Sequence, residues 1–279
     1  QWRELAALLL QRNNHLEPDE QLLNLQRLAQ VHEQRLGEAD NAFIVLQNAN
    51  EIAPDDAHVM SELERLAAIT GQWRDLYEVY EATLPHLDGD AKLDLMLKSA
   101  DVQRDKIGAR DEAIRLYERV LGESPESEPA LRALSELDEQ AGRWHELVEV
   151  LATLAEVTPN YDEKKQLLQR IGRVQEEQLK DLDAAVMAWN QALELDERDK
   201  TALKELERLQ VARRDWRSLI DIYEKEAMLD SAVEVERRVQ IAGIYEQYLK
   251  DIDKAIAAYE DVLGIDPANA TALDRLEAL

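Results

Sequence analysis

This 279-residue chain has none of the residue patterns that usually identify a catalytic or metal-binding site in a sequence. There is no cysteine, which excludes disulfides, thiol nucleophiles and thiolate metal sites together. The chain also has no glycine-rich phosphate loop and no Gly-x-Ser-x-Gly turn. The histidines are scattered, and none forms the helical pair at four-residue spacing that binds zinc: His15, His32, His58, His86 and His145. We therefore expect no catalytic residue, no cofactor and no metal, and the chain is predicted not to be an enzyme.

Carboxylates are so abundant here that their proximity carries little information. With 59 Asp and Glu residues, pairs of neighbouring acids arise everywhere, so they do not identify a general acid and base. The pairs Asp181/Asp183 and Asp251/Asp253 have the spacing found at the start of a calcium loop. Such a loop needs more oxygen ligands and a central glycine, whereas a helical pattern follows immediately in both places. These acids are predicted to cap helices.

The charge of the chain limits its partners. Lys and Arg number 33 against 59 acids, so the net charge is 33 − 59 = −26. This field repels the phosphates of nucleic acids and anionic lipid surfaces, so neither is an expected partner. The longest apolar runs, such as Leu5–Leu10, are too short to span a bilayer, so membrane insertion is not expected either. Protein or peptide partners remain, and the lack of cysteine fits both cytoplasm and periplasm.

Three residue types recur with a period of about 71 residues. The tryptophans that mark it are separated by 71, 71 and 72 residues: Trp2, Trp73, Trp144 and Trp216. Alanines follow the same period, at Ala42, Ala113, Ala185 and Ala255, and an aspartate lies two residues before each alanine, at Asp40, Asp111, Asp183 and Asp253. A fixed period of this kind is the signature of a repeat protein.

Each period contains four stretches with helical spacing of apolar residues, which predicts about 16 helices in an all-α fold. The recurrent aspartates are predicted to be helix N-caps. Pro54, Pro125 and Pro267 are predicted to lie where the next helix begins. A left-handed turn is predicted after a helix at four equivalent positions: Gly37, Gly108, Lys180 and Lys250.

The helix pairs resemble the tetratricopeptide repeat. Helix B of that family has alanine, an aromatic residue four positions later, alanine after three more and proline after a further five. Ala113, Tyr117, Val120 and Pro125 follow this pattern with valine in place of the second alanine, as do Ala255, Tyr259, Val262 and Pro267. The series Ala42, Leu46, Ala49, Pro54 lacks only the aromatic residue, and Ala185, Trp189, Ala192, Glu197 lacks only the proline. The alternate pairs match more weakly, which explains a period of two pairs.

The resemblance implies one α-solenoid superhelix over residues 1–279. An unpaired helix over 1–13 would precede seven helix pairs over about 18–264, and an unpaired helix over 268–279 would follow. The chain opens at Gln1 inside a helical pattern, without methionine or signal peptide, which predicts a fragment of a longer chain. Its oligomeric state is not predicted.

The family resemblance further implies a concave groove, lined by the first (A) helix of each pair, that binds a partner protein or peptide. Six basic residues are predicted to lie in that groove: Arg65, Arg104, Arg132, Arg173, Lys204 and Arg208. They could bind carboxylates of a partner, or they could pair with acids on the helix surface. The carboxylate clamp of family co-chaperones is not expected, because Glu236 and Gln240 stand where asparagine is needed.

The tryptophans have two interpretations. They could be exposed anchors for a partner, since tryptophan is frequent in interface hot spots, but their fixed spacing to leucine favours packing between helices. The same packing is predicted for Trp189. The leading functional prediction is a non-catalytic interaction scaffold. Two alternatives are the non-catalytic arm of a larger enzyme that recruits its substrate, and a regulator whose superhelix tightens when a peptide binds.

Overall fold

The computed structural model describes all residues, Gln1–Leu279, and contains 16 α-helices and no strand. They divide into two compact units, residues 1–141 and 142–279, of eight helices each. Unit 1 contains α1 Trp2–Asn13, α2 Pro18–Val31, α3 Ala39–Ile52, α4 Ala57–Thr70, α5 Trp73–Thr83, α6 Gly89–Val102, α7 Arg110–Glu123 and α8 Glu128–Ala141. Unit 2 contains α9 Trp144–Val157, α10 Tyr161–Glu177, α11 Leu182–Leu195, α12 Lys200–Arg213, α13 Trp216–Leu229, α14 Glu234–Ile244, α15 Ile252–Ile265 and α16 Ala270–Ala278.

Within each unit, every helix packs against the helices that precede and follow it in the chain. Because the connections are short, successive helices are antiparallel, which is the arrangement of an all-α solenoid built from helix pairs. The even-numbered helices are the A helices of the pairs, and the odd-numbered helices are the B helices. No helix is both long and apolar enough to cross a membrane.

The recurrent alanines mark the points where helices pack most closely. Ala42, Ala113, Ala185 and Ala255 are each 0% exposed. In unit 2, Ala185 belongs to a core cluster with Trp189 of the same helix and with Leu206 and Leu209 of α12. Alanine therefore recurs at positions where helices pack together, since a larger side chain there would push the helices apart.

The predicted left-handed turns are present at all four positions. Gly37, Gly108, Lys180 and Lys250 have φ of 72°, 75°, 59° and 57°. In each turn the amide of the next residue donates to the carbonyl six residues earlier, as Asp251 N does to Tyr245 O at 3.0 Å. Before three of the turns the helix widens into one π-helical turn, at His32–Leu36, Gln103–Ile107 and Tyr245–Leu249. These bonds satisfy the carbonyls left free at the helix end.

The N-cap prediction for the recurrent aspartates is wrong by two residues. Asp40, Asp111, Asp183 and Asp253 are each the second residue of their helix, and the caps are Glu38, Ala109, Asp181 and Asp251. Only Asp181 and Asp251 cap through their side chains, by accepting from Ala184 N and Lys254 N. The recurrent acids instead lie in the first turn, where a negative charge is stabilised by the helix dipole.

The recurrent prolines also lie outside the positions predicted for them. Pro54, Pro125 and Pro267 lie three residues before the first residue of α4, α8 and α16. They occupy the loop between helix B and the next helix A rather than its first turn. In this position proline ends the preceding helix and leaves the cap to a polar residue, such as Asp56 before α4 or Asn269 before α16.

Candidate partner-binding surface

The four recurrent tryptophans begin the B helices α1, α5, α9 and α13, but they are not core residues. Trp2 is 46% exposed, and Trp73, Trp144 and Trp216 are partly buried. Three of the rings lie against the end of the following A helix. The guanidinium of Arg35 is 4.9 Å from the ring centre of Trp2, Lys106 Nζ is 5.1 Å from that of Trp73, and Trp216 stacks on Tyr248 at 3.8 Å. Trp216 also packs against a core cluster of α13 and α14, so the predicted packing between helices is present there, although none of the four rings is fully buried.

Trp189 does lie in the core, as predicted. It is 1% exposed and packs against Gly172 of α10. At the equivalent position in unit 1, the hydroxyl of Tyr117 donates to Asp101 at 2.5 Å. Burial and this hydrogen bond raise the pKa of Tyr117. The indole Nε1 of Trp189 is buried without a hydrogen-bond partner.

Two of the six predicted groove cations are paired in the same way in the two units. The guanidinium of Arg65 on α4 donates both Nη atoms to Glu33, each at 2.7 Å, and also bonds Glu62 on its own helix. The guanidinium of Arg208 on α12 contacts Glu176 at 2.6 Å through Nη1 and Glu205 at 2.7 Å through Nη2. Arg65 and Arg208 therefore connect one A helix to the next within their units.

Two further predicted cations also have carboxylate partners. Arg104, in the π-helical turn after α6, contacts Asp105 at 2.7 Å and Asp101 at 3.0 Å. Arg132 on α8 contacts Glu128, one turn earlier, at 2.6 Å. The pairing of these cations with acids on the helix surface is thus observed for four of the six residues. Whether any of the four also contacts a partner stays a prediction.

Arg173 and Lys204 differ from the other four because neither has an ion-pair partner, and both are exposed. The guanidinium of Arg173 makes only a long hydrogen bond, 3.4 Å from Nε to the carbonyl of Gln169. Arg173 lies on α10 and Lys204 on α12, which are successive A helices of unit 2.

The contacts between α10 and α12 place these two cations along one seam. Gln169 Nε2 donates to Asp199 at 2.5 Å, and Glu176 accepts from Arg208. Arg173 lies one turn after Gln169 on α10, and Lys204 lies one turn before Arg208 on α12. Because residues three or four apart share a helix face, both cations lie between those two contacts. The seam therefore carries two cations that no acid of the chain neutralises.

Sequence reasoning missed the acids that join successive A helices. Besides Glu33 and Glu176, Glu207 contacts Arg237 at 3.2 Å and Glu246 contacts Arg275 at 3.4 Å. In each case the arginine follows its acid by about one helix pair, between 29 and 32 residues. This spacing is visible in the sequence. It is recognised only when residues of successive A helices, which lie side by side, are compared with one another, and not when each helix is searched alone.

These features define a helical repeat protein whose successive A helices are joined by ion pairs. Two segments of the chain, residues 94–127 and 235–269, match models of the tetratricopeptide repeat. The first covers most of α6 and all of α7, and the second covers nearly all of α14 and all of α15, so each corresponds to one A helix and the B helix that follows it. These two segments of the chain are therefore similar to tetratricopeptide repeats.

Solved structures similar to this chain include several repeat proteins. The tetratricopeptide repeat protein from Parabacteroides merdae is 15% identical, with coverage of 92% of this chain and 97% of that chain and a TM-score of 0.40. YrrB, described as a repeat protein with an unusual peptide-binding site, is 14% identical over 67% of this chain and 92% of its own, with a TM-score of 0.40. MamA is 20% identical over 64% of this chain and 93% of its own, with a TM-score of 0.36. No curated protein matches the sequence.

Proposed function

We propose that this chain is a non-catalytic scaffold that binds a partner protein or peptide on the face formed by its A helices. In unit 2 that face binds an acidic segment of the partner at Arg173 and Lys204. The observation that carries the proposal is the absence of any ion-pair partner for these two exposed cations. The neighbouring Arg208 on the same seam is already engaged by Glu176 and Glu205.

The chemistry of the two side chains suits a carboxylate. The planar guanidinium of arginine can donate two parallel hydrogen bonds to one carboxylate, and the lysine ammonium adds a mobile point charge. The acids next to them do not compete strongly, because Glu176 accepts from Arg208 and Asp199 accepts from Gln169. A carboxylate arriving at the seam therefore meets two cations that form no ion pair within the chain, and Arg173 has only the long bond to the Gln169 carbonyl.

The net charge of −26 does not prevent this contact. At physiological ionic strength, charges separated by more than about 8 Å are largely screened from one another. Repulsion by acids elsewhere on the chain therefore slows the approach of an acidic segment more than it weakens the bound state. We expect binding to depend on the two local cations and to weaken as salt is added.

The test is an array of synthetic twelve-residue peptides with graded acidic content, probed with the whole chain and with two charge reversals, Arg173→Glu and Lys204→Glu. The expected result is preferential retention of acidic peptides and a loss of affinity of about tenfold for each reversal, or about 1.4 kcal/mol. Arg217→Glu is the matched control. It makes the same charge change at an exposed position of the B helix α13 and should leave binding unchanged.

Two results would contradict the proposal. One is an array without preference for acidic peptides. The other is equal loss of binding in Arg173→Glu and Arg217→Glu, which would mean that only the net charge matters. Far-ultraviolet circular dichroism of each variant verifies that the helices are retained, so a loss of affinity is not a loss of fold.

A further inference from the structure

A second surface of unit 2 lies on the opposite helices of the pairs. An open groove of about 510 Å³ runs between the successive B helices α9 and α11, with α10 as its floor. Leu168 and Ile171 of α10 form the apolar floor. The walls are built mainly from small or apolar residues: Ala152 and Ala155 of α9, and Ala184, Met187, Ala188 and Leu195 of α11. Met187 is 65% exposed at its edge.

The equivalent place in unit 1, one period earlier, is bridged by polar side chains. Glu81 of α5 contacts Arg119 of α7 at 2.9 Å, and Ser99 of α6 donates to Glu81 at 3.1 Å. In unit 2 the residues at these three positions are Ala152, Gln191 and Ile171. None of them can form the bridge.

The end of the groove is bridged in unit 1 as well. Lys92 of α6 contacts Glu123 of α7 at 2.8 Å, whereas unit 2 has Leu195 at the position of Glu123. The bridge between α5 and α7 thus has no counterpart between α9 and α11, although Lys165 of α10 contacts Asp196, just after α11, at 2.8 Å. Alanines on the two walls leave room for another backbone to approach closely.

The charges at one end of the groove indicate what fits it. Glu156 is in the last turn of α9 and Glu194 in the last turn of α11, and both line the groove. Both are exposed and have no ion-pair partner. The C-terminal end of a helix carries a partial negative charge, so two acids there are mutually unfavourable unless a cation joins them. Lys164 of α10 is the one basic residue of the lining.

We infer that this groove binds an amphipathic helix of a partner protein, with its apolar side chains between α9 and α11 and a lysine or arginine at the end marked by Glu156 and Glu194. A helix lying in an apolar groove is a recurrent mode of recognition, with anchors at positions i, i+3 or i+4, and i+7. The groove volume is within the range of about 300–1,000 Å³ that is typical of ligand-binding clefts. This partner is distinct from the acidic segment proposed for the A-helix face.

The test uses a phage-displayed library of helix-forming fourteen-residue peptides, selected on the whole chain. The variant Ala152→Glu/Gln191→Arg restores the bridge of unit 1 while keeping Ile171 in the floor, and serves for counter-selection. We expect enriched peptides with helically spaced apolar residues and a basic residue near one end. Their affinity should fall at least tenfold in Ala152→Glu/Gln191→Arg and in Glu156→Lys/Glu194→Lys. Arg173→Glu should leave it unchanged, so failure here is separable from failure of the acidic-segment proposal.

A spectroscopic readout locates the bound peptide independently. The chain has four methionines, so carbon-13 labelling of their methyl groups gives four resolvable probes. Peptide binding should shift the Met187 signal and leave that of Met228, which is also exposed, in place. The inference is overturned if no helical peptide is enriched, if enriched peptides bind the bridged variant equally well, or if they leave Met187 unshifted. It is also overturned if Met187 shifts with protein concentration alone, since a second copy would then occupy the groove.

Discussion

The indole of Trp189 lies directly over the backbone of Gly172, so closely that a Cβ at position 172 would be 2.6 Å from Nε1. The large indole of Trp189 on α11 therefore fits because Gly172 on α10 has no side chain. At the equivalent positions unit 1 has Tyr117 and Ala100 instead, a smaller ring and a residue with a Cβ. The pair explains why a glycine, which weakens helices, lies in the middle of α10.

Gly172→Ala should destabilise the chain by about 1–3 kcal/mol, because the added methyl forces the indole out of its place in a packed core. Gly243→Ala is the matched control in α14, where the added Cβ would be 4.0 Å from the nearest atom, the Tyr259 hydroxyl. It should stabilise by about 0.5–1 kcal/mol through helix propensity. Chemical denaturation measures both. The double variant Gly172→Ala/Trp189→Tyr should recover most of the loss, and failure to do so would contradict the steric explanation.

The two acids at the start of α15 should contribute unequally to stability. Asp251 caps the helix by accepting from Lys254 N at 3.2 Å, whereas Asp253 lies inside the first turn. Asp251→Ala is expected to cost about 1 kcal/mol and Asp253→Ala only a few tenths. Thermal unfolding of the two variants side by side checks this. Equal losses would show that the recurrent aspartate contributes as much as the cap.

Lys250 adopts a conformation that favours glycine, with φ of 57°. A side chain in this region costs about 1–2 kcal/mol, so Lys250→Gly should stabilise unit 2 by about 1 kcal/mol, less the entropy that glycine adds to the unfolded chain. The reverse exchange Gly108→Lys, at the equivalent turn of unit 1, should destabilise by a similar amount. Denaturant midpoints measure both directions. A loss of stability in Lys250→Gly would indicate that the lysine side chain makes a contact that outweighs its backbone strain.

The ion pair of Glu176 and Arg208 should make a small, pH-dependent contribution. The hydrogen bonds from Arg208 lower the pKa of Glu176 below its ordinary value. Because the folded-state pKa is the lower one, the stabilisation is present above the unfolded pKa of about 4.3 and is lost as pH falls through the folded value. Arg208 is half-exposed, so a double-mutant cycle with Glu176→Gln and Arg208→Gln should give about 0.5–1 kcal/mol at pH 7. A coupling that persists at pH 2 would exclude an ionic origin.

Much of the fold was predictable from this sequence because its signals are local or strictly periodic. The apolar spacing within each helix gave the number of helices, and the tryptophan and alanine markers gave the register of the pairs. The left-handed turns at Gly108 and Lys250 were also predictable, since each depends only on the few residues around the helix end. The caps were misplaced by two residues, because several acids cluster at each helix start and only the backbone geometry selects one.

The candidate site was less predictable, because whether each basic side chain forms an ion pair depends on an acid that is far away in the sequence. Six basic residues looked equivalent, yet Arg65 meets Glu33 across 32 residues while Arg173 meets no acid. The recurrent tryptophans were predicted to pack between helices, yet none of the four is fully buried.

Sequence alone determined that the chain is an all-helical repeat with a period of two helix pairs, because helix formation and pair stacking follow from residue spacing. Only the tertiary structure decided which charged side chains form ion pairs and which grooves between helices remain open. Ion pairs and grooves form between helices, so they depend on which side chains meet across a seam. Ala152 and Gln191 are ordinary surface residues in the sequence, and only the packing of α9 and α11 around α10 places them where unit 1 has an ion pair.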